Sequence, residues 1–113
     1  MGDCISAGCA KTAAAVFSQV PVAINNLLRV MNEQTPNAAY DGYASCPMFV
    51  GDKKLMLIEF KYDGVPAETF YEKQENANRI FYEMKKEVFP RVYFDMVSRG
   101  YWYGHDMIFK PKF

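Results

Sequence analysis

The chain carries three cysteines and one histidine that could take part in chemistry, and Cys46 has the most distinctive surroundings. It lies between Ser45 and Pro47, shortly after an Asp-Gly turn dipeptide at positions 41–42. A residue before proline is biased toward extended backbone, so we expect Cys46 at the start of a strand and not inside a helix. Such a thiol could be a nucleophile, but most cysteines are small buried apolar residues. From the residues alone, both interpretations stay open.

Two other kinds of site are disfavoured by the same residues. Cys4, Cys9, Cys46 and His105 are enough ligands for zinc in number, but their spacing matches no usual zinc pattern. A cysteine or serine hydrolase needs a positioned base, and the single histidine lies far along the chain. We therefore predict no metal site and no hydrolase.

Length, charge and cysteine count limit the function further. The 113 residues suffice for one modest domain, and 13 basic against 13 acidic residues give no reason to expect a nucleic-acid partner. An odd number of cysteines fits a reducing compartment or a working thiol. No unbroken run of about 18 apolar residues is present, which argues against a membrane-spanning helix. The first ten residues do not resemble a signal peptide.

Periodicity predicts an α+β chain of a long helix, a β-hairpin and then amphipathic helices. Apolar residues at three- and four-residue steps indicate a helix over residues 10–31, which Pro21 should kink. After a polar linker, residues 47–50 and 55–62 read as two strands joined by a turn at positions 51–52, with Leu55, Leu57 and Glu59 on one face. Cys46 is then on the first arm of the hairpin or close to it.

The carboxy-terminal third should be helical. We expect a helix over residues 73–88, a break at Pro90, and a second amphipathic segment that stops at Gly100. Residues 89–113 contain eight aromatic side chains, and four basic residues there outnumber two acidic ones. That composition suits a membrane interface, with a packed core helix as the alternative.

Three motifs, in order, give the chain a family resemblance. Gly2-Asp3-Cys4 and the run 11–16 resemble a flavin-contacting segment of mitochondrial-type sulfide:quinone oxidoreductases. Residues 40–47, with the strand ending at Glu59-Phe60, resemble the segment of the second catalytic cysteine, and residues 99–102 look like the carboxy-terminal signature. The resemblance covers nearly the whole chain but only the last part of such an enzyme. It departs from the family pattern at residues 7–9, where a proline is usual.

The resemblance implies the carboxy-terminal part of a flavoprotein with two dinucleotide-binding domains. Residues 1–39 would end the flavin domain, residues 40–72 would form the cysteine-bearing hairpin, and residues 73–113 would be membrane-associating helices. The protein would lie at the inner mitochondrial membrane as a peripheral, monotopic protein.

The resemblance also implies roles for individual residues. Gly2, Asp3, Lys11 and Lys85 would contact FAD, and Cys46 would be the catalytic cysteine that carries the persulfide. Taken alone, Asp3 could equally be a helix cap, and Lys85 could be one of a solvated lysine pair near a helix end.

The implied reaction oxidises hydrogen sulfide and reduces ubiquinone, with a small thiol such as glutathione accepting the sulfane sulfur. The resemblance implies that the partner cysteine of Cys46 lies upstream of this segment, and the sequence has no Gly-x-Gly-x-x-Gly fingerprint. We therefore expect no turnover from this chain alone. The alternative is a truncated, non-catalytic paralogue that acts as a membrane-surface or interaction module.

Overall fold

A computed structural model describes residues 1–71 and 73–105 and shows an α+β chain. The expected order of a long helix, a hairpin and further helices is confirmed. The elements are α1 (Ala13–Met31), β1 (Ala44–Gly51), β2 (Lys54–Phe60), α2 (Arg79–Glu83) and α3 (Phe89–Asp95), with a π turn (Met84–Val88) between the last two and 3₁₀ turns at Tyr62–Gly64 and Val97–Arg99.

Helix α1 begins three residues later than the periodicity suggested. Thr12 is its N-cap, and the Thr12 hydroxyl accepts a hydrogen bond from the Ala15 N–H at 3.1 Å. That bond satisfies one of the orphan donors of the first turn and fixes the start of the helix. Pro21 is buried inside α1, which continues to Met31 as expected.

The linker after α1 folds back along the polar side of the helix. The Asn26 side chain donates to the Ala38 carbonyl at 2.8 Å and accepts from the Asn37 and Ala38 N–H groups at 3.1 Å. Arg29 Nε donates to the Thr35 carbonyl at 2.6 Å. These bonds turn the polar residues of α1 toward the linker and leave Leu27 and other apolar side chains exposed.

By length and apolar composition, α1 has the properties of a helix that could cross a membrane, and 22% of it is buried within the chain. The exclusion drawn from the sequence does not hold on these criteria, because it required an unbroken apolar run. Polar side chains such as Gln19 and Asn26 interrupt the apolar run, but the mean hydropathy of the helix remains high enough for a membrane-spanning segment.

The two strands form an antiparallel hairpin with a two-residue turn. Asp52 and Lys53 both have positive φ, 46° and 53°, which is the backbone of a type I′ turn. The turn is thus one residue later than the predicted Gly51-Asp52 pair. A bulge at Val50 shifts the register next to the turn, and beyond it Cys46 pairs with Ile58.

The outer edge of β2 is covered by residues 66–71 and 73–78, here called the covering loop. The Leu57 N–H donates to the Gln74 carbonyl at 3.1 Å, and the Leu55 N–H and carbonyl bond Asn78 at 3.0 Å in both directions. The predicted helix start at residue 73 was therefore wrong. Gln74 and Asn78 use their backbone groups on β2, and the helix begins only at Arg79, with Asn78 as its cap.

A small apolar core joins α2 to the hairpin. Leu55, Leu57 and Phe81 are nearly or fully buried, at 0%, 3% and 1% exposure, and Tyr82, Met84 and Phe89 pack against them. The inward face of β2 is the Leu55–Leu57–Glu59 face that strand alternation indicated.

Pro90 does not break the helical run, contrary to expectation. The chain passes from α2 through the π turn into α3, and the Phe89 N–H bonds the Met84 carbonyl five residues back. The wider turn stands immediately before Pro90, which occupies the first turn of α3, where its missing N–H costs little. The predicted helix ended at residue 88, but the observed run continues to Asp95.

The aromatic tail is described up to His105. Phe94 and Tyr101 are 64% and 59% exposed, and Arg91 and Arg99 lie at the surface nearby. The predicted interfacial roles of Phe109, Lys110, Lys112 and Phe113 lie outside the described residues.

Candidate functional site around Cys46

Cys46 lies in the middle of β1 with its thiol free and partly exposed. The Leu55 and Leu57 N–H groups point away from β1, toward the covering loop. Antiparallel pairs alternate between hydrogen-bonded and non-bonded, so the Cys46–Ile58 pair exchanges both of its backbone bonds. The backbone of Cys46 is thereby fixed to β2, while its side chain shares a face with those of Ala44 and Ile58.

Lys85 reaches the strand next to the thiol. Its Nζ donates a 2.9 Å hydrogen bond to the carbonyl of Pro47, the residue that follows Cys46. The Cys46 backbone groups point toward β2, so the Pro47 carbonyl points toward the other edge of β1. Among residues 1–71 and 73–105 that edge pairs with no strand, and Lys85 approaches from there. Cys46 and Lys85, two predicted site residues that are 39 positions apart in the sequence, are thus close together in the structure.

A buried carboxylate lies beneath the hairpin, and no role was predicted for it from the sequence. Glu59 is 7% exposed. Its oxygens accept hydrogen bonds from the Tyr43 hydroxyl, from the Thr69 N–H and hydroxyl at 2.8 Å each, and from Gln74 Nε2 at 2.6 Å. Buried ionisable groups of this kind need such partners. The only sequence signal was a lone carboxylate on the apolar face of a strand.

Tyr43 connects this network to the tail. Burial and the hydrogen bond to Glu59 raise the pKa of the Tyr43 phenol well above its ordinary value. On its ring face, His105 stacks with a centroid distance of 3.8 Å and an interplanar angle of 8°. His105 is therefore packed on an aromatic ring two residues from the Ser-Cys-Pro motif.

The three remaining predicted residues lie together at the start of α1. The Gly2 N–H donates to Gln19 Oε1 at 2.8 Å, which ties the amino-terminal segment to the helix. Lys11 Nζ donates to the carbonyls of Ile5 and Ala7 at 2.8 and 3.2 Å. Asp3 is exposed. Gly2 and Lys11 are thus held in place by these hydrogen bonds.

Gln19 also links this segment to the region before Cys46. Its Nε2 lies 3.7 Å from the Cys9 sulfur, and the Tyr40 hydroxyl interacts with both side chains. Burial and the hydrogen bond with Cys9 raise the pKa of Tyr40 well above its usual range. Cys9, to which the sequence assigned no role, is thus a packing partner of Tyr40.

Within residues 1–71 and 73–105, no three side chains of His, Cys, Asp or Glu come together as metal ligands. The five predicted site residues therefore form two groups: Cys46 with Lys85 on the hairpin edge, and Gly2, Asp3 and Lys11 at the start of α1.

Comparison with known proteins gives no matching family model, but it gives similar curated proteins. The protein "Sulfide:quinone oxidoreductase, mitochondrial" of Schizosaccharomyces pombe is 40% identical across 100% of this chain and 26% of its own length. Proteins of the same name from Mus musculus and Dictyostelium discoideum are 39% and 35% identical, over 92% and 98% of this chain. The chain spans about a quarter of the length of each relative.

A solved structure is similar as well. One chain of a structure titled "Cryo-EM structure of Tetrahymena thermophila mitochondrial ATP synthase - F1Fo composite tetramer model" superposes with a TM-score of 0.75 at 26% identity. The match covers 98% of this chain and 26% of that one. The resemblance that the three motifs predicted is confirmed: along its whole length, this chain is similar to about one quarter of a mitochondrial sulfide:quinone oxidoreductase.

Proposed function

We propose that this chain is the carboxy-terminal segment of a sulfide:quinone oxidoreductase. The observation that carries the proposal is the 40% identity along the entire chain, and the position of Cys46 on a rigid strand with a partly exposed thiol agrees with it. A strand holds a reactive group more firmly than a loop does. The overall reaction oxidises hydrogen sulfide to a persulfide and reduces ubiquinone.

The sulfur chemistry starts from a disulfide between Cys46 and a cysteine upstream of this segment. Hydrosulfide attacks the Cys46 sulfur, the S–S bond breaks, and the upstream cysteine leaves as a thiolate. Cys46 keeps the added sulfur as a persulfide, which a small thiol such as glutathione then removes. That transfer leaves the Cys46 thiol and the upstream thiolate, and re-forming the disulfide between them releases two electrons. FAD, when bound, would supply the two-electron acceptor for this step, with ubiquinone as the final acceptor.

The start of α1 fits one edge of a flavin. The first intrahelical bond runs from the Val16 N–H to the Thr12 carbonyl at 3.2 Å, and Thr12 caps the Ala15 N–H. The N–H groups of Ala13 and Ala14 come before that bond and can donate to a ring carbonyl, with the partial positive charge of the helix start behind them.

Two side chains complete that edge. Lys11 uses two of its three donors on loop carbonyls and keeps a third for a ligand, while the exposed Asp3 carboxylate can accept from ribityl hydroxyls. Lys85 would approach from the Cys46 side. These residues fit a flavin ring but offer no phosphate-binding loop, so we expect the purified chain to retain little FAD after desalting.

The activity is tested in a chimera that carries this chain in place of the matching quarter of the 40% identical relative. Replacing Cys46 with serine should abolish sulfide-dependent reduction of a ubiquinone analogue, while the visible spectrum of bound flavin persists. A Cys9→Ser chimera is the matched control and should keep its turnover, because the Cys9 sulfur interacts with Gln19 and Tyr40 and has no proposed part in the sulfur chemistry. Near-normal turnover with serine at position 46 would refute the assignment.

We further propose a peripheral location on the inner mitochondrial membrane, with the aromatic tail at headgroup depth. Each fully buried large side chain contributes about 1.5–3 kcal/mol, against about 1 kcal/mol for each basic residue near an anionic surface. Binding to liposomes should thus persist in high salt and fall when Phe94, Trp102 and Phe109 are replaced by serine. Co-sedimentation across a salt series measures this. Release by salt alone would contradict the proposal.

A second candidate is a non-catalytic interaction module, and it is favoured by the similarity to a chain within a mitochondrial ATP synthase structure. In that case the segment would contribute a surface to a large assembly, and Cys46 would be dispensable. A tagged chain, expressed in the organism of that structure, should then migrate with the ATP synthase on native gels. Its Cys46→Ser variant should migrate identically. A chain that migrates only as a small species would exclude this candidate.

A further inference from the structure

We propose that Lys85 is a positioning residue for Cys46, acting through the Pro47 carbonyl in addition to any contact with a cofactor. The inference rests on the proposed function, because it matters for the reaction only if Cys46 is the reactive thiol. Its physical content, however, is a property of this chain that can be measured without any reaction.

Few backbone torsions remain free beside the Cys46 thiol. The Cys46 N–H and carbonyl are both used in the ladder with Ile58. The pyrrolidine ring fixes φ of Pro47. The remaining local freedom is ψ of Pro47, and this torsion sets the direction of the carbonyl that Lys85 holds at 2.9 Å.

Pro47 and Lys85 together restrict strand pairing at the outer edge of β1. Pro47 has no N–H, and its carbonyl, which points toward this edge, is already bonded to Lys85. At Pro47 an incoming strand would therefore find no donor and an acceptor that is already bonded to Lys85.

Lys85 reaches the strand, whereas its neighbour Lys86 does not. Lys85 and Lys86 both belong to the π turn, but Lys86 is bonded to Glu87 at 2.9 Å on the solvent side. A π turn changes the angular phase of the side chains that follow it, and such turns are frequent at functional sites. Lys86 is therefore a matched control for the loss of a lysine charge in this turn.

The test uses the full chain in a Cys4→Ser, Cys9→Ser background, so that Cys46 is the one thiol. Lys85→Met removes the donor while keeping a long side chain, Lys85→Arg keeps a donor, and Lys86→Met is the control. With Lys85→Met, we expect hydrogen exchange over residues 44–50 to become at least about threefold faster. Alkylation of Cys46 by iodoacetamide should become at least about twofold faster. The Lys85→Arg and Lys86→Met chains should stay near the parent in both measurements.

Two results would overturn the proposal. One is equal exchange and alkylation rates in Lys85→Met and Lys86→Met, which would make Lys85 an ordinary surface lysine. The other is a chimera in which Lys85→Met shifts the flavin spectrum but leaves exchange over residues 44–50 unchanged, which would restrict Lys85 to cofactor contact. Both readouts are independent of the Cys46→Ser turnover assay, so failure of this proposal and failure of the proposed function can be told apart.

Discussion

The buried Glu59 carboxylate gives the most demanding prediction about stability. Replacing Glu59 with alanine removes the acceptor for four hydrogen bonds, which come from Tyr43, Gln74 and the N–H and hydroxyl of Thr69. Tyr43 and Gln74 are 6% and 0% exposed, so water reaches them poorly, whereas Thr69 is exposed and can bond solvent. The loss of unfolding free energy should therefore come mainly from the Tyr43 hydroxyl and the Gln74 side-chain amide, which would be left without an acceptor.

The magnitude follows from those two donors. A buried donor without a partner costs about 1–3 kcal/mol, so Glu59→Ala should lower the free energy of unfolding by about 2–6 kcal/mol in total. A domain of this size has about 5–15 kcal/mol to lose. The control is Glu68→Ala in the covering loop, where an exposed carboxylate accepts one bond from the Gln74 N–H at 2.7 Å. There only one donor, the Gln74 N–H, loses its acceptor, so we expect a smaller loss of about 1–3 kcal/mol.

Urea denaturation followed by circular dichroism measures both variants. A double variant, Glu59→Ala with Gln74→Leu, should lose less than the sum of the two single variants, because the leucine removes one of the donors that Glu59→Ala strands. If Glu59→Ala costs no more than Glu68→Ala, or if the two sites prove additive, then the network does not hold the covering loop and the reasoning fails.

Two further predictions follow from local geometry and charge. Gly42→Ala should destabilise by about 2–5 kcal/mol, because its φ is +86° and a Cβ would lie 2.5 Å from the Tyr62 backbone nitrogen, whereas Gly8→Ala should change thermal stability little, since nothing lies within 4 Å of the new methyl. Burial alone would raise the pKa of Asp41, but hydrogen bonds from Lys61 at 2.7 Å and from the backbone hold it below its ordinary 3.8. The folded chain then binds fewer protons than the unfolded chain, so this stabilisation is present above about pH 4 and is lost as the pH falls through the folded pKa. Asp41→Asn should flatten the fall in unfolding free energy between pH 5 and pH 3, and an unchanged slope would contradict the pairing.

The elements with local signals were predictable from the sequence. The apolar period of α1 gave its end at Met31 correctly, and the Thr12 cap explains why it starts at Ala13. Strand alternation grouped Leu55, Leu57 and Glu59 on one face, which the structure shows to be the inward one, and the Ser-Cys-Pro context placed Cys46 on or near the first arm of the hairpin. Each of these follows from neighbours a few residues apart.

What the sequence could not indicate depends on partners far along the chain. The segment before Arg79 reads as helical, but Gln74 and Asn78 bond β2 instead, and this tertiary pairing overrides local propensity. Pro90 reads as a break, but the π turn accommodates it. The resemblance singled out Lys85 as a flavin contact, but its bond to the Pro47 carbonyl could not be predicted, because that acceptor is 38 residues away and leaves no local pattern.

The covering loop has a consequence for how this chain would fail. The β2 segment Leu55-Met56-Leu57-Ile58 is apolar and uncharged and contains no proline or glycine, which are features of segments that form amyloid-like stacks. In the folded chain its outer N–H groups are occupied by Gln74 and Asn78, so copies of the chain cannot template on one another there. Loss of the hydrogen bonds to Glu59 would loosen the covering loop and expose these N–H groups of β2 before the rest of the chain unfolds. Damage at this carboxylate should therefore appear in cells and in purification as insoluble protein, at temperatures where most of the fold is still intact.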